Sequence, residues 1–159
     1  MKLSNSLLSR SAALSLIGGV TIAGSVAAYA AEGPQITIHE DPNCGCCGAW
    51  ANHIKQAGFL VSIVETSNIT AIKLQLGVPD DLASCHTAVV GGYVIEGHVP
   101  AVAVLRLLEQ KPNAIGLAVP GMPAGSPGME GSASEEYAVV LFGPQQRQTF
   151  ARFRGSRET

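Results

Sequence analysis

The hydrophobic pattern of the chain alternates between short β-branched runs and segments whose apolar residues recur at helical spacing. Residues 35–39 carry isoleucines at alternate positions, which is typical of a half-buried strand. Apolar residues three and four positions apart then predict a helix that starts near Cys46, is capped by Asn43 and stops at Gly58. The β-branched run at 59–65 predicts a second strand, so these elements predict a β-α-β unit.

The middle of the chain continues this pattern with a short helix and a hairpin. Apolar residues at helical spacing predict a helix over 69–76. Two short apolar runs, 88–90 and 93–96, are separated only by Gly91 and Gly92, and two glycines suit a hairpin turn that needs positive φ. This part of the chain therefore adds a helix and two strands to the first unit.

A third helix is predicted over 101–109, opened by Pro100 at a position where proline is well tolerated. Its predicted core face consists of four apolar residues, Val102, Val104, Leu105 and Leu108. The resulting order, β-α-β-α-β-β-α, predicts an α/β protein with a thioredoxin-like core. A Cys-x-x-Cys spacing beside a β-α-β pattern also favours that fold.

The last third of the chain departs from this order. Residues 114–134 are rich in glycine and proline and predict a long loop, a kind of segment that is usually functional or disordered. The runs 137–142 and 148–153, on either side of a Gly-Pro-Gln turn, predict a C-terminal hairpin. We therefore expect the core to carry an extra Gly/Pro-rich loop and a C-terminal β-hairpin, with a flexible tail at 155–159.

The first 30 residues have the features of a secretory signal peptide. Lys2 and Arg10 are their only charged residues, an apolar stretch follows, and the sequence Ala-Tyr-Ala at 28–30 fits a cleavage site. The alternative is a membrane anchor, but the apolar run is short, is interrupted by glycines and lacks a flanking cluster of charges. We expect export to the periplasm, cleavage after Ala30, a metal-binding domain at 31–154 and a mature form that is not embedded in the membrane.

The charge balance of the chain narrows the classes of partner. The full sequence has ten basic and twelve acidic residues, and removal of residues 1–30 leaves eight basic residues against the same twelve acids, a net charge of −4. Nucleic-acid-binding domains are typically basic, so this balance disfavours a nucleic-acid partner.

Export also allows disulfides to persist, and four cysteines permit three pairings. We expect a monomer.

Three of the four cysteines, Cys44, Cys46 and Cys47, lie within four positions at the predicted start of the first helix. A helix N-terminus favours the thiolate because unpaired N–H groups and the positive end of the dipole face it. The Gly45 spacer lets several sulfurs converge on a soft metal such as Cu(I), or on zinc. Cys44 and Cys47 also have the spacing of a redox dithiol. A structural disulfide is the third alternative, although bonds within so tight a cluster are expected to be strained.

A second group of candidate ligands lies in two later turns. Cys85 and His86 precede the third strand, where redox members of the thioredoxin-like fold commonly carry a cis-proline, so a soft ligand there favours metal binding. His98 lies in the turn before the third helix, at the same end of the sheet, and imidazole suits copper and zinc. The alternatives are a buried thiol at Cys85 and histidines that only donate or accept hydrogen bonds. His39, in a strand, and His53, on a helix face expected to be exposed, are poorer candidates.

Met122 and Met129 lie in the Gly/Pro-rich loop, outside any helical or strand periodicity. Core methionines normally lie on periodic apolar faces, whereas a thioether is a neutral, soft ligand that favours Cu(I). We expect the two methionines to be ligands or to cover the cysteine cluster. The alternative is that they anchor the loop on the protein surface.

These motifs together resemble those of the CopG-type exported copper-resistance proteins, a family long catalogued as a domain of unknown function. The resemblance covers roughly residues 36–142 and rests on Cys44-Gly45-Cys46-Cys47 with Trp50, Ser84-Cys85-His86-Thr87, residues 92–100 and the loop at 119–130. It implies a thioredoxin-like fold, a cysteine-bridged multinuclear copper cluster and a role in copper resistance that includes Cu(I)/Cu(II) interconversion.

The sequence therefore predicts an exported copper-binding protein. Its expected ligands are Cys44, Cys46, Cys47, Cys85, His86, His98, Met122 and Met129. The expected partners are copper ions, together with a copper exporter or a periplasmic electron carrier. A copper oxidoreductase is one form of this function. A thiol–disulfide oxidoreductase that uses Cys44 and Cys47, and a copper chaperone, are the alternatives.

Overall fold

The computed structural model describes residues 33–131 and 133–159, and the predicted signal peptide at 1–30 lies outside the described residues. The strands of the described chain are β1 (Gln35–Glu40), β2 (Leu60–Glu65), β3 (His86–Val90), β4 (Tyr93–Glu96), β5 (Gly116–Ala118), β6 (Glu136–Gly143), β7 (Gln146–Arg154) and β8 (Arg157–Glu158). Its α-helices are α1 (Cys47–Gln56), α2 (Ile69–Gln75) and α3 (Ala101–Gln110), and a 3₁₀ turn occupies Asp80–Leu82. The mixed α/β architecture is confirmed, and the order of elements up to α3 is the predicted one.

All the strands form a single sheet in the order β2-β1-β3-β4-β5-β6-β7-β8. β1 is parallel to β2 and β4 is parallel to β5, whereas the other neighbours are antiparallel. The β3–β4 hairpin turns at Gly91 and Gly92 with φ of 55° and 85°, as the glycine pair predicts. This topology brings the ends of β1, β4 and β5 and the start of β3 to one edge of the sheet. The cysteine cluster, Cys85, His98 and the Gly/Pro-rich loop therefore meet there.

The core lies between the sheet and the inner faces of α1 and α3. Trp50 and Ile54 of α1 and the two isoleucines of β1 are at most 1% exposed, and burying a side chain of this size is worth about 1.5–3 kcal/mol. The Trp50 indole N–H also donates to the Val99 carbonyl oxygen at 2.9 Å. Because Val99 follows His98, this bond ties α1 to the turn that carries the histidine.

The predicted core face of α3 is wrong at two residues. Val102 and Leu105 are 47% and 41% exposed, whereas Ala101, Ala103 and Leu107 are buried. Arg106, Glu109 and Gln110 form a polar side on this helix. Val102 and Leu105 lie four residues before Arg106 and Glu109, so both are on or beside that side. The small alanines lie on the buried face, where they let the helix axis approach the sheet closely.

Two strands occur where the sequence predicts none. β5 lies inside the predicted Gly/Pro-rich loop, and an ideal Cβ on Gly116 would lie 1.7 Å from the Val94 oxygen, so only glycine permits this pairing with β4. The glycine that predicts a loop is thus what allows the strand. β8 lies inside the predicted flexible tail at 155–159, where it pairs with β7, and Glu158 forms an ion pair with Arg106 of α3.

Candidate metal centre

The turn after β1 delivers the cysteine cluster to the start of α1. The Asp41 side chain accepts the Asn43 backbone N–H at 2.8 Å, and the Asp41 carbonyl accepts the Cys44 N–H at 2.9 Å. The predicted cap at Asn43 is therefore wrong, because Asn43 belongs to this turn and the N-cap residue is Cys46, which makes no side-chain capping bond. Cys44, Cys46 and Cys47 consequently lie just before or within the first turn of α1, where free backbone N–H groups favour negative charge.

The four sulfurs lie close together. The Cys46 Sγ is 3.7 Å from that of Cys44 and 3.6 Å from that of Cys85. The ligand atoms of these three residues and Cys47 all lie within 4.8 Å of one another. Cys44 and Cys47 are joined in a disulfide, while Cys46 and Cys85 are free thiols. The structure thus brings together all the cysteines that the sequence singles out, with two of them in oxidised form.

Two histidines also contact the Cys85 sulfur. The Cys85 Sγ is 3.2 Å from His86 Nδ1 and 3.0 Å from His98 Nε2. The His98 Nδ1 lies 2.7 Å from the Pro127 carbonyl oxygen. A carbonyl can only accept, so Nδ1 carries the proton in the neutral ring and the Nε2 lone pair points at the sulfur. This arrangement resembles the one in which an outer hydrogen bond orients a metal-ligating histidine.

Burial dominates the electrostatics of this group. It lowers the pKa of His86 to about 3, with further contributions from His98 and Lys73, and it lowers the pKa of His98. Both rings are therefore neutral near pH 7, the form that binds metals. Burial, followed by the neighbouring Cys46, raises the pKa of the Cys85 thiol to about 12. Without a cation the pocket disfavours the thiolate, so a bound metal ion would displace the proton.

The Gly/Pro-rich loop packs directly on the first turn of α1. An ideal Cβ on Gly128 would lie 2.8 Å from the backbone nitrogen of Trp50, so glycine is needed for this close approach. Met122 is 53% exposed, and its Sδ is 3.9 Å from the Cys46 Sγ. Met129 is half-buried, and its backbone bonds to Ser126 and Gly125 hold a turn of the loop. Within residues 33–131, the sulfur contacts of the cluster reach Met122 but not Met129.

The donor set fits a soft metal ion. It consists of cysteine sulfurs, a thioether and two imidazoles, which select Cu(I) or zinc over the oxygen-preferring Mg²⁺ and Ca²⁺. His86 is fully buried, and within the described residues its Nε2 has no hydrogen-bond partner. The nitrogen of this ring that lies near the Cys85 sulfur is instead Nδ1, at 3.2 Å, so Nδ1 is the atom that could join the donor set.

Sequence reasoning missed other polar groups around the site. His53 is half-buried, and its Nε2 accepts the Ala101 N–H at 3.0 Å, so the expectation of an exposed position is wrong. A buried ion pair joins Lys73 of α2 to Glu96 of β4. Lys73 lies four residues after Ile69, on the apolar side of the predicted helix, and Glu96 ends an apolar strand. A charged residue among apolar ones in a helix and another in a strand were the sequence signal that could have indicated a buried ion pair.

The chain is similar to a protein of known structure, described as copper resistance protein CopG in two forms. It is 43% identical to each, with a TM-score of 0.73 for both. The similarity covers 77% of this chain and 99% of form 2, and 78% of this chain and 100% of form 1. The chain belongs to the CopG family of copper resistance proteins.

A second comparison matches part of the chain to a family model. Residues 82–129 match the family model described as a protein of unknown function, DUF411. That stretch contains Cys85, His86, His98 and both loop methionines. A comparison with curated proteins finds none that matches the chain. In the described parts of this CopG-family chain, no helix is long and apolar enough to cross a bilayer.

Proposed function

We propose that this chain is an exported copper-binding protein that acts in copper resistance. The observation that supports it most is the convergence of the Cys44, Cys46, Cys47 and Cys85 sulfurs within 4.8 Å. Clustered thiolates are soft ligands that select Cu(I), and sulfurs this close can each bridge two ions. A multinuclear copper site follows from that arrangement once the disulfide is reduced.

The remaining donors would complete this site. His98 would supply Nε2, which the Pro127 hydrogen bond leaves as a lone pair directed at the Cys85 sulfur. His86 would add a second imidazole. The two loop methionines, Met122 and Met129, would complete or cover the site, and the 3.9 Å sulfur contact favours Met122 as the nearer ligand.

The Cys44–Cys47 disulfide supports a finer proposal, conversion between Cu(II) and Cu(I). With both thiols reduced, each of two Cu(II) ions takes one electron from the pair. One S–S bond forms, two protons are released and two Cu(I) ions result, which Cys46 and Cys85 can retain. Reduction of the disulfide in the next cycle needs two electrons, which a periplasmic electron carrier would supply. In this form the protein is a copper oxidoreductase.

The proposal also covers the fold, location and partners. The strand order β2-β1-β3-β4, with parallel β1 and β2, supports a thioredoxin-like core with an added loop and C-terminal strands. The signal peptide at 1–30 would direct the protein to the periplasm, where it would act as a monomer. A copper exporter is the alternative partner, and a chaperone role would differ from this one only in the partner and the rate of copper transfer.

A thiol–disulfide oxidoreductase is the second candidate function. The disulfide at the start of α1 favours it, because a helix N-terminus stabilises the thiolate that such enzymes need. Insulin reduction by Cys46→Ala and Cys85→Ala variants separates the two functions. A disulfide exchange enzyme keeps its activity in both variants, whereas a copper protein loses metal in both.

Copper counting tests the proposed function. The protein is reduced, loaded with Cu(I) without oxygen, freed of excess metal and analysed for copper and zinc per chain. We expect more than one copper per chain, and a lower ratio in Cys46→Ser and Cys85→Ser. Arg147→Gln, which removes an exposed ion pair to Asp81, is the control and should bind as wild type does. No copper, or zinc alone after copper loading, would refute the proposal.

A further inference from the structure

A buried polar network lies directly beside the cysteines. Glu96 is fully buried and Lys73 is 8% exposed, and their charged atoms are 2.5 Å apart. The Glu96 Oε1 also accepts the Ser84 backbone N–H at 2.6 Å, and its Oε2 accepts the Thr87 hydroxyl at 2.6 Å. The Thr87 hydroxyl oxygen in turn accepts a bond from Lys73 at 2.8 Å. The carboxylate thus holds three separate segments: α2, the turn before β3, and β3 itself.

Stability alone is a weak reason for this network. Lys73 is the only buried residue that α2 contributes, in a place where an apolar side chain would be the ordinary choice. Replacing a buried ion pair by apolar residues of similar volume is often neutral or stabilising. The network is therefore better explained by what it holds in place.

The bonded groups flank the proposed copper ligands. Ser84 precedes Cys85, Thr87 follows His86, and Glu96 lies two residues before His98. The Ser84 hydroxyl also donates to the Gly121 carbonyl, next to Met122 in the loop. The Ser84 N–H, the Thr87 hydroxyl and the Glu96 carboxylate thus all belong to residues within two positions of a proposed ligand.

We infer that Glu96 is a positioning residue for the copper site, through the Ser84 N–H that its side-chain oxygen accepts. Its carboxylate fixes the Ser84 amide, so that the Cys85 sulfur is presented to Cys46 at 3.6 Å and to His98 Nε2 at 3.0 Å. This inference rests on the proposed function of the site. It assigns no contact with copper to Glu96 or Lys73.

Two double variants separate positioning from charge. Removing one ion alone leaves the other buried and unpaired, so both are replaced together. K73M/E96Q removes the charges but keeps a side-chain oxygen that can accept the Ser84 N–H, whereas K73M/E96L removes that acceptor as well. R147Q is the matched control, because it breaks an exposed ion pair to Asp81, in the 3₁₀ turn just before Ser84.

Copper affinity is the first measurement, by competition with a chromophoric Cu(I) chelator. We expect K73M/E96L to bind about 10–100-fold more weakly, the usual effect of losing an outer hydrogen bond at a metal site. K73M/E96Q and R147Q should bind as wild type does. In a Cys85→Ser background the difference between the two double variants should vanish, because Cys85 is the group that Glu96 positions.

The second measurement needs no copper. The alkylation rate of Cys85 in the reduced protein, followed by mass spectrometry, should rise several-fold in K73M/E96L and stay unchanged in K73M/E96Q. Thermal unfolding of the copper-free variants checks that each one folds. If K73M/E96L does not fold, K73M/E96M replaces it, since the flexible methionine adapts to an irregular site.

The outcomes distinguish this inference from the proposed function. Equal affinity and equal alkylation in both double variants and wild type would overturn the positioning role. Equal loss in both double variants would also overturn it, because charge rather than the Ser84 contact would then be responsible. A wild-type protein that binds no copper would refute the proposed function instead, and the alkylation rates would still test the positioning of Cys85.

Discussion

Gly128 provides a quantitative test of how the Gly/Pro-rich loop closes over the cysteines. Its φ is +87°, and an ideal Cβ would lie 2.8 Å from the backbone nitrogen of Trp50 and 3.2 Å from the carbonyl oxygen of Cys46. Gly128→Ala should cost about 1–2 kcal/mol for the left-handed backbone. Overpacking against the backbone of α1 should cost about 1–3 kcal/mol more. If the loop lifts to relieve the contact, the Pro127 carbonyl leaves His98 and Cu(I) affinity falls with it.

Two other glycines of the same loop provide matched controls. Gly121 has a φ of +70°, but nothing lies within 4 Å of an ideal Cβ, so Gly121→Ala should lose only the backbone contribution of about 1–2 kcal/mol. Gly131 has an open environment and no positive φ, so Gly131→Ala should leave the stability of the protein unchanged. Urea unfolding, followed by the fluorescence of Trp50, the single tryptophan, measures all three variants in one series. Cu(I) competition with a chelator then follows on the same samples.

Comparing Gly128→Ala with Gly121→Ala tests whether the close approach of the loop to α1 stabilises the protein. If Gly128→Ala and Gly121→Ala lose the same unfolding free energy, the close approach of the loop to α1 contributes nothing and the reasoning fails. If Gly128→Ala loses stability but keeps full Cu(I) affinity, the loop is a structural cover that does not orient His98.

Three further predictions concern the frame around the site. Trp50→Phe removes the N–H that the buried Val99 carbonyl accepts at 2.9 Å, so unfolding followed by circular dichroism should show a loss of about 1–3 kcal/mol; an unchanged midpoint would contradict this. Gly116→Ala places a Cβ 1.7 Å from the backbone of β4 and should abolish amide protection in β5, whereas retained protection would count against the pairing. Burial lowers the pKa of His53 from 6.5, so the unfolded state takes up the proton first and stability is lost as the pH falls below 6.5. His53→Gln removes a contribution of at most about 1.4 kcal/mol per pH unit, and the variant should show a shallower stability loss between about pH 7.5 and about pH 5.5; equal slopes would refute it.

The order of elements was predictable because its signals are local. Alternating isoleucines mark β1, and Gly91-Gly92 marks a hairpin turn whose φ values are positive in the structure. The exposure of Val102 and Leu105 on α3 was also signalled locally, although the prediction missed it, because they lie four residues before the polar residues Arg106 and Glu109. β5 was missed because Gly116 is both a loop signal and the residue that allows close strand pairing.

The site shows the same division between local and distant information. Three cysteines in four positions indicate a cluster, and the predicted strand order adds Cys85 and His98 from turns at the same end of the sheet. The state of the sulfurs is not encoded in spacing, because Cys44-Cys47 spacing serves both a disulfide and a metal site. The Lys73–Glu96 pair joins residues 23 positions apart. Such a pair can be recognised only in the folded structure, where a lysine on the apolar side of a helix lies next to a glutamate at the end of an apolar strand.

The sulfur contacts also have a consequence for the chain as a polymer. Cys46 touches Cys85 and Met122, residues that follow it by 39 and 76 positions. An ion held jointly by these groups would act as a reversible crosslink that closes long loops, and closing long loops restricts the unfolded chain. At a free copper concentration of 100 times the dissociation constant, this linkage adds about 2.7 kcal/mol to stability. Resistance to proteolysis would then rise with the supply of copper, so the lifetime of the protein would increase with the amount of copper it binds.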